Sequence, residues 1–268
     1  MLLLKYGKSP LKETRKADFL AYFGREVETT RIVSFGSCNW HCAYCKRDGH
    51  TVDSDGNIVR AVEFSDFEVF EVLEKALADG ERIRLSGGDP VMHPADSLKI
   101  AQWAMKRGHR ISIAHNGSNI NFAKMMLPYM DYVAIDLKGD TPRELAKRAS
   151  ISTFEAEKML KSTIDTQELF ASNGVLVDVR TPIFGDTTID QLYRMAEMIL
   201  SNGVQNRFWT LRKYNRVKHC DWLVPDGEYV SELAQRVSEA FPELPVGIKE
   251  KWRNSKFTIL GGKQKIAI

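Results

Sequence analysis

Short runs rich in β-branched and aromatic residues alternate along this chain with longer stretches whose apolar positions recur at helical spacing. The runs RIVSF (31–35), RIRL (82–85), RISIA (110–114), YVAID (132–136), VLVDVR (175–180) and RFWTL (207–211) have the length and composition of strands, and KFTIL (256–260) that of an edge strand. Between them the pattern predicts helices. The first carries apolar Phe67, Phe70, Val72, Leu73, Ala76 and Leu77; Ser65-Asp66-Phe67-Glu68 has capping-box spacing at its start, and Gly80 ends it. Others are expected at about 95–107, stopped by Gly108, and at 120–129, 141–149, 153–172, 188–200 and 226–240. Residues 46–63, with Asp48-Gly49 and Asp55-Gly56, read as a turn-rich excursion.

About six strand–helix units in series argue for a parallel sheet with helices outside. The 268 residues reach the low end for a full eight-unit barrel, but six units favour an α/β fold of the partial (βα)6 TIM-like kind. One domain is expected over 1–268, with a core at about 31–215, an N-terminal extension at 1–30 and a C-terminal extension at 216–268. In such folds the functional loops follow the C-terminal ends of strands. The loops at Cys38–Cys45, Gly87–Asp89, Asn116-Gly117 and Asp136–Lys138 all fall there.

Composition narrows the class. Hydrophobic residues make up 43%, enough for one substantial core. No apolar run approaches the roughly 20 residues that span a bilayer, so no membrane association is expected. The start, MLLLKYGKSPLKETRK, is apolar and then basic, the reverse of a secretory leader. A net charge of +3 does not by itself argue for nucleic acid, and that partner stays open. The basic segments RKYNRVK (212–218) and KEKWRNSK (249–256) read as solvated surface, with a path for an anionic substrate as the alternative. The 4 cysteines do not form a secreted disulfide framework; clustered thiols fit a reducing compartment, hence the cytoplasm.

Three of them, Cys38, Cys42 and Cys45, lie in the eight-residue run Cys-Asn-Trp-His-Cys-Ala-Tyr-Cys. Three thiolates can hold three corners of a 4Fe–4S cluster, which normally takes four Cys ligands. A missing fourth ligand leaves one iron open to a substrate. The competing readings are chance clustering and a zinc site completed by His41, His50 or His219-Cys220, although the second ligand pair of a structural zinc site is missing. Cys220 alone reads as a small core or surface residue.

The spacing CxxxCxxC, with aromatic Tyr44 before its last cysteine, resembles the signature of radical S-adenosylmethionine (SAM) enzymes. Ser86-Gly87-Gly88-Asp89-Pro90 is similar to that family's Gly-Gly-Glu-Pro motif, with Asp in place of Glu. Two glycines let backbone approach a ligand closely. The resemblance implies Cys38, Cys42 and Cys45 as cluster ligands, Tyr44 near the adenine, and Ser86, Gly87, Gly88 and Asp89 at the methionine amino end. It also implies that SAM chelates the open iron and is cleaved, after one-electron reduction, to a 5′-deoxyadenosyl radical that takes a substrate hydrogen. The reductant would be of the flavodoxin or ferredoxin kind. No further cysteine cluster follows, so one cluster and one SAM are expected.

A narrower resemblance is to the activating enzymes of glycyl-radical proteins, such as those of pyruvate formate-lyase and anaerobic ribonucleotide reductase. Asp136-Leu-Lys138 is similar to their strand-ending Asp-x-Lys, and Arg180-Thr-Pro-Ile-Phe-Gly-Asp186 to an Arg- and Pro-Gly-containing stretch, which implies Asp136, Lys138 and Arg180 in the SAM pocket. Ala114-His115-Asn116-Gly117 stands where that group has Asp-Thr-Asn-Gly, which keeps Asn116 in the pocket but loses an Asp; Asn215 replaces a His. The partner implied is a glycyl-radical protein. The alternatives are a small molecule, nucleotide or nucleic-acid base, which Trp209 and Arg212–Lys218 would suit, and a non-catalytic metal-binding module. A monomer or weak dimer is expected.

Overall fold

The computed structural model describes residues 1–4, 11–15, 29–45, 51–52, 58–59, 61–203, 205–249 and 257–260. The strands are β1 (Leu2–Leu4), β2 (Leu11–Arg15), β3 (Thr29–Phe35), β4 (Thr51–Val52), β5 (Ile58–Val59), β6 (Ala61–Glu63), β7 (Arg82–Gly87), β8 (Ile111–His115), β9 (Met130–Asp136), β10 (Leu176–Ile183), β11 (Arg207–Lys213), β12 (Val246–Lys249) and β13 (Phe257–Leu260). The helices are α1 (Asp66–Ala78), α2 (Pro94–Met105), α3 (Ile120–Met126), α4 (Pro142–Ala149), α5 (Thr153–Ser172), α6 (Ile189–Leu200) and α7 (Gly227–Ala240).

Strands β3, β7, β8, β9, β10, β11 and β12 pair in that order and in parallel. Each is joined to the next through one helix or, between β9 and β10, two. Antiparallel β1 and β2 flank β3, and antiparallel β13 flanks β12. Among the described residues the two ends of the sheet do not pair, so the barrel stays open. This is the partial barrel that the six strand–helix units predict. Beyond them the structure adds β12 as a seventh parallel strand. Its four residues, Val-Gly-Ile-Lys, are too few to show periodicity, and tertiary pairing on both sides decides their conformation. The helix expected at 120–129 ends at Met126 and passes into a 3-10 turn over Leu127–Tyr129, because Pro128 cannot continue the hydrogen-bond ladder. Within 46–63 the described parts are the β4–β5 pair and β6, which joins the sheet beside β1.

The strands are two-faced. Ile83, Leu85, Val133, Ile135, Val177, Val179, Trp209, Leu211 and Val246 are all at most 1% exposed and share one core with the helices, through Val69, Leu73, Ile100, Leu192 and Val230 among others. Full burial of one such side chain contributes roughly 1.5–3 kcal/mol. The intervening positions point into the barrel. Register aligns Ile32 with Arg84 and Ser112, Ala134 with Asp178 and Phe208, Asp136 with Arg180 and Thr210, and Arg212 with Lys249. Side chains paired across a sheet project to the same face, so the interior is rich in polar and charged groups, with Ile32, Ala134 and Phe208 among them, and the exterior is apolar. Ser65, Ser152 and Thr188 close capping boxes at the starts of α1, α5 and α6. No described helix is long and apolar enough to cross a membrane.

Candidate functional site

The cysteine loop leaves β3 at the mouth of the barrel and is fastened there by main-chain contacts. Gly88 N–H donates to Phe35 O at 2.9 Å and Asp89 N–H to Ser37 O at 2.7 Å. The approach is so close that a Cβ on Gly87 would lie 2.3 Å from Phe35 N, and one on Gly88 1.9 Å from Ser37 O. Gly87 also has φ +109°, which favours glycine. The glycine pair is therefore required to seat the loop, whatever ligand it meets. Side chains add further ties. Asn116 Nδ2 donates to Asn39 Oδ1 and Asn39 Nδ2 to Ser118 Oγ, both at 2.7 Å. His93 stacks on Phe35 and its Nε2 lies 2.8 Å from Ser37 Oγ.

Asp89 is buried at the centre of these ties. Its carboxylate accepts from Val91 N–H at 3.0 Å, from Asn116 N–H at 2.8 Å and from His115 Nδ1 at 2.8 Å. The side chain thus locks the end of β7 to the end of β8 through His115 and Asn116, a positioning role that the motif Ala114-His115-Asn116-Gly117 does not announce.

Around the thiols, Trp40 N–H points at Cys38 Sγ at 3.4 Å, and Lys138 Nζ lies 3.6 Å from Cys42 Sγ and 3.2 Å from Asp136 Oδ2. The ammonium also sits 4.7 Å from the Trp40 ring centre. Burial opposes its charge, but Asp136 and then the sulfurs more than offset this and hold Lys138 protonated. Burial, helped by Asp89, pushes the Cys38 thiol up to about 12, and burial raises Cys42 as well. These thiols lose their protons when a metal replaces them. The Tyr44 ring packs edge-on against Phe184 at 4.9 Å and beside Tyr214 and Trp222. Cys220 lies buried with Phe184 and Tyr214, as a core residue.

Arg180 sits deeper. Its Nε donates to Asp178 Oδ2 at 2.7 Å and its guanidinium reaches the Tyr132 hydroxyl at 3.1 Å, while that hydroxyl donates to Asp178 at 2.5 Å. Trp209, expected to suit a ring-bearing substrate, instead lies on the helix-covered face; it is 0% exposed and donates to Thr181 Oγ1. Arg212, read as solvated surface, is on the inner face beside Lys249. His50 lies outside the described residues.

The sequence profile of the Radical SAM superfamily matches residues 32–205. The chain belongs to the radical SAM superfamily. It is an enzyme, and the family's 4Fe–4S cluster and SAM are its cofactors. Among radical SAM relatives it is 24% identical over 250 residues to GTP 3′,8-cyclase of Chlorobaculum tepidum, covering 92% of this chain and 72% of that one. It is 25% identical over 158 residues to a putative glycyl-radical enzyme activating enzyme of Methanocaldococcus jannaschii, covering 58% of this chain and 61% of that one. Streptococcus suis SuiB shares the fold at TM-score 0.64 and 11% identity, over 82% of this chain; the chain spans about half of SuiB, 48% of its length.

The thiols fit a radical SAM cluster in chemistry. An N–H and an ammonium aim at the sulfurs, as hydrogen bonds to cluster thiolates do. Among the described residues no three His, Cys, Asp or Glu converge on a single point as ligands of one ion do. Cysteines that each hold a different iron do not need to converge.

Proposed function

We propose that this chain, as one radical SAM domain, holds a single 4Fe–4S cluster through Cys38, Cys42 and Cys45 and uses it to take a hydrogen atom from a small molecule bound inside the barrel. When bound, the cluster and SAM supply a 5′-deoxyadenosyl radical. The residues supply place and electrostatics. Gly87 and Gly88 offer main-chain groups to the methionine end of SAM, while Asp89, committed to Val91, His115 and Asn116, fixes their position. Lys138, bridging Asp136 and Cys42, balances the negative charge that cluster thiolates bring. Tyr44 and its aromatic neighbours shield that side from water.

The single observation that carries the reading is the set of three thiols at the barrel mouth, with Lys138 on Cys42, seated by the Gly87-Gly88 contact. The small-molecule choice rests on the polar barrel interior and on the cyclase likeness, which extends over 92% of the chain. An electron donor of the flavodoxin or ferredoxin kind, a reducing cytoplasmic setting, and a monomer or weak dimer belong to the same reading. A second reading, activation of a glycyl-radical protein, is favoured by Asp136-Leu-Lys138 and by the activating-enzyme relative.

Anaerobic reconstitution with iron and sulfide tests the proposal. It should load about four irons per chain, and reduced protein should release 5′-deoxyadenosine from SAM. Cys42→Ala should abolish both. Tight binding of one zinc in place of the cluster would remove the proposal. A glycyl-radical EPR doublet on a partner protein would select the second reading.

A further inference from the structure

Four cations face the inner side of the barrel, Arg84 lowest and the others nearer the level of Asp136. Arg84 on β7 lies two residues before Ser86, about 6–7 Å down the strand. Arg180 on β10, Arg212 on β11 and Lys249 on β12 face the same interior, with Arg212 and Lys249 in direct register. Ser86, Ser112, Ala134 and Gly247, at neighbouring inner positions, are small. The described carboxylates on this face are Asp136 and Asp178. Asp136 takes Lys138; Asp178 takes Arg180, Tyr132 and Thr210.

Arg84 decides what this cluster is for. The residue is 3% exposed, and its Nη1 and Nη2 make no hydrogen bond of ordinary geometry; the Tyr132 hydroxyl and Asp178 favour its charge only from longer range and do not offset its burial. Its guanidinium stands 5.5 Å from the Tyr132 ring centre, its contact on that side. A buried guanidinium with unpaired donors is costly unless something satisfies it. A purely structural network would have supplied a carboxylate. Lys249 feels the same crowding: burial, then Arg212 and Arg180, pull its ammonium down to about 8. An anion placed among these groups relieves Arg84, Arg212 and Lys249, whose charges burial disfavours, and gives the Arg84 guanidinium a bidentate acceptor, while Arg180 already has Asp178.

We propose that Arg84, Arg180, Arg212 and Lys249 bind the anionic group, phosphate or carboxylate, of a small-molecule substrate inside the barrel. The inference rests on the small-molecule reading above and names its substrate class. An anion held at the depth of Arg84 leaves the rest of the molecule extending toward the mouth, where hydrogen is taken.

The test uses reconstituted holoenzyme saturated with SAM, titrated calorimetrically with inorganic phosphate and, separately, with citrate. Saturable binding of one of them is expected, weakened at least tenfold in Arg84→Met and in Lys249→Met and retained in Lys249→Arg. Lys249 lies half-buried near the sheet edge, so its variants stay informative if Arg84→Met folds poorly. Tighter phosphate marks a phosphate-bearing substrate, and tighter citrate a carboxylate; either supports the site. No saturable binding, equal affinity in Lys249→Met, or binding that vanishes once SAM is present would overturn it, the last by returning the cations to the SAM carboxylate. The same preparation is assayed for 5′-deoxyadenosine. Its release without anion binding sinks the anion site alone, whereas anion binding without its release sinks the radical reading and leaves the site standing.

Discussion

Replacing Arg84 by Met should make the ligand-free protein more stable while removing its hold on an anion. Burial, then Arg180, lowers the guanidinium pKa to about 10, more than two pH units below its ordinary value, with Tyr132 and Asp178 opposing part of the fall. At 1.36 kcal/mol per factor of ten, the charged form carries a penalty of about 3 kcal/mol in the folded state. The sign follows from linkage. The group is charged in both states well below pH 10, so the penalty is fully present at neutral pH and is relieved only as the pH rises through about 10. Met keeps most of the aliphatic stem and carries no charge. It forfeits the contact with Tyr132, worth roughly 0.5–2 kcal/mol. The net gain is about 1–3 kcal/mol, in the range found when buried charges give way to apolar residues. For a chain of this size that raises Tm by roughly 2–8 °C. Thermal unfolding of both proteins without cluster or SAM, checked by urea unfolding with an unchanged m-value, measures it. A Tm lowered by about 5 °C or more would refute the reasoning, because Arg84 would then be a satisfied part of the core.

Three more expectations follow from the same geometry. Gly88→Ala places a Cβ where Ser37 O stands, 1.9 Å away, so the loops after β3 and β7 must part; iron content after reconstitution should fall severalfold, and wild-type loading would contradict the seating role. Asn116→Ala removes the donor to Asn39 and the cap on Ser118 N–H, and should cost about 1–2 kcal/mol in urea unfolding while loosening cluster retention; an unchanged midpoint would show these bonds to be idle. Lys249 is charged below about pH 8 and is faced by Arg212, Arg180, Arg84 and Asp178, so phosphate affinity should decline between pH 7 and 9, whereas in Lys249→Met it should follow the titration of phosphate alone; parallel profiles would exclude the ammonium.

The strands and helices were legible because their periodicities differ and their ends carry local signals. Ser65 and Glu68 do close a capping box, and α5 runs over Thr153–Ser172, the span its pattern predicts. Strand β12 was not legible, since four residues carry too little pattern and its pairing with β11 and β13 is non-local. The site was readable where chemistry is compressed into a short span, as in Cys38–Cys45. It was unreadable where distant positions share work. His115 reaches Asp89 from another strand, and Asn39 meets Asn116 across 77 positions, so no local spacing announces either. A signal was available for Arg84 and Asp178: each is a charge flanked on both sides by apolar residues inside a strand run, RIRL and VLVDVR. In a sheet whose outer face is sealed by helices, such a charge has only the barrel interior to enter.

That constraint divides the labour along the chain. The superfamily match ends at residue 205, and the parts that hold the cysteine loop, the glycine pair and Asp136–Lys138 all lie within it. Two of the four inner cations, Arg212 and Lys249, lie beyond it on β11 and β12. On the proposed reading the shared portion builds the place where a radical is made, and the later strands complete the chamber that holds the substrate. A hydrogen-atom abstractor cannot choose its target by acid–base chemistry; it takes whichever C–H is held nearest. Selectivity then falls to the groups that fix the substrate at a set depth. On the proposed reading the group placed deepest to do so is Arg84, about 6–7 Å below Ser86 at the mouth, a depth suited to a small molecule anchored by its charged end.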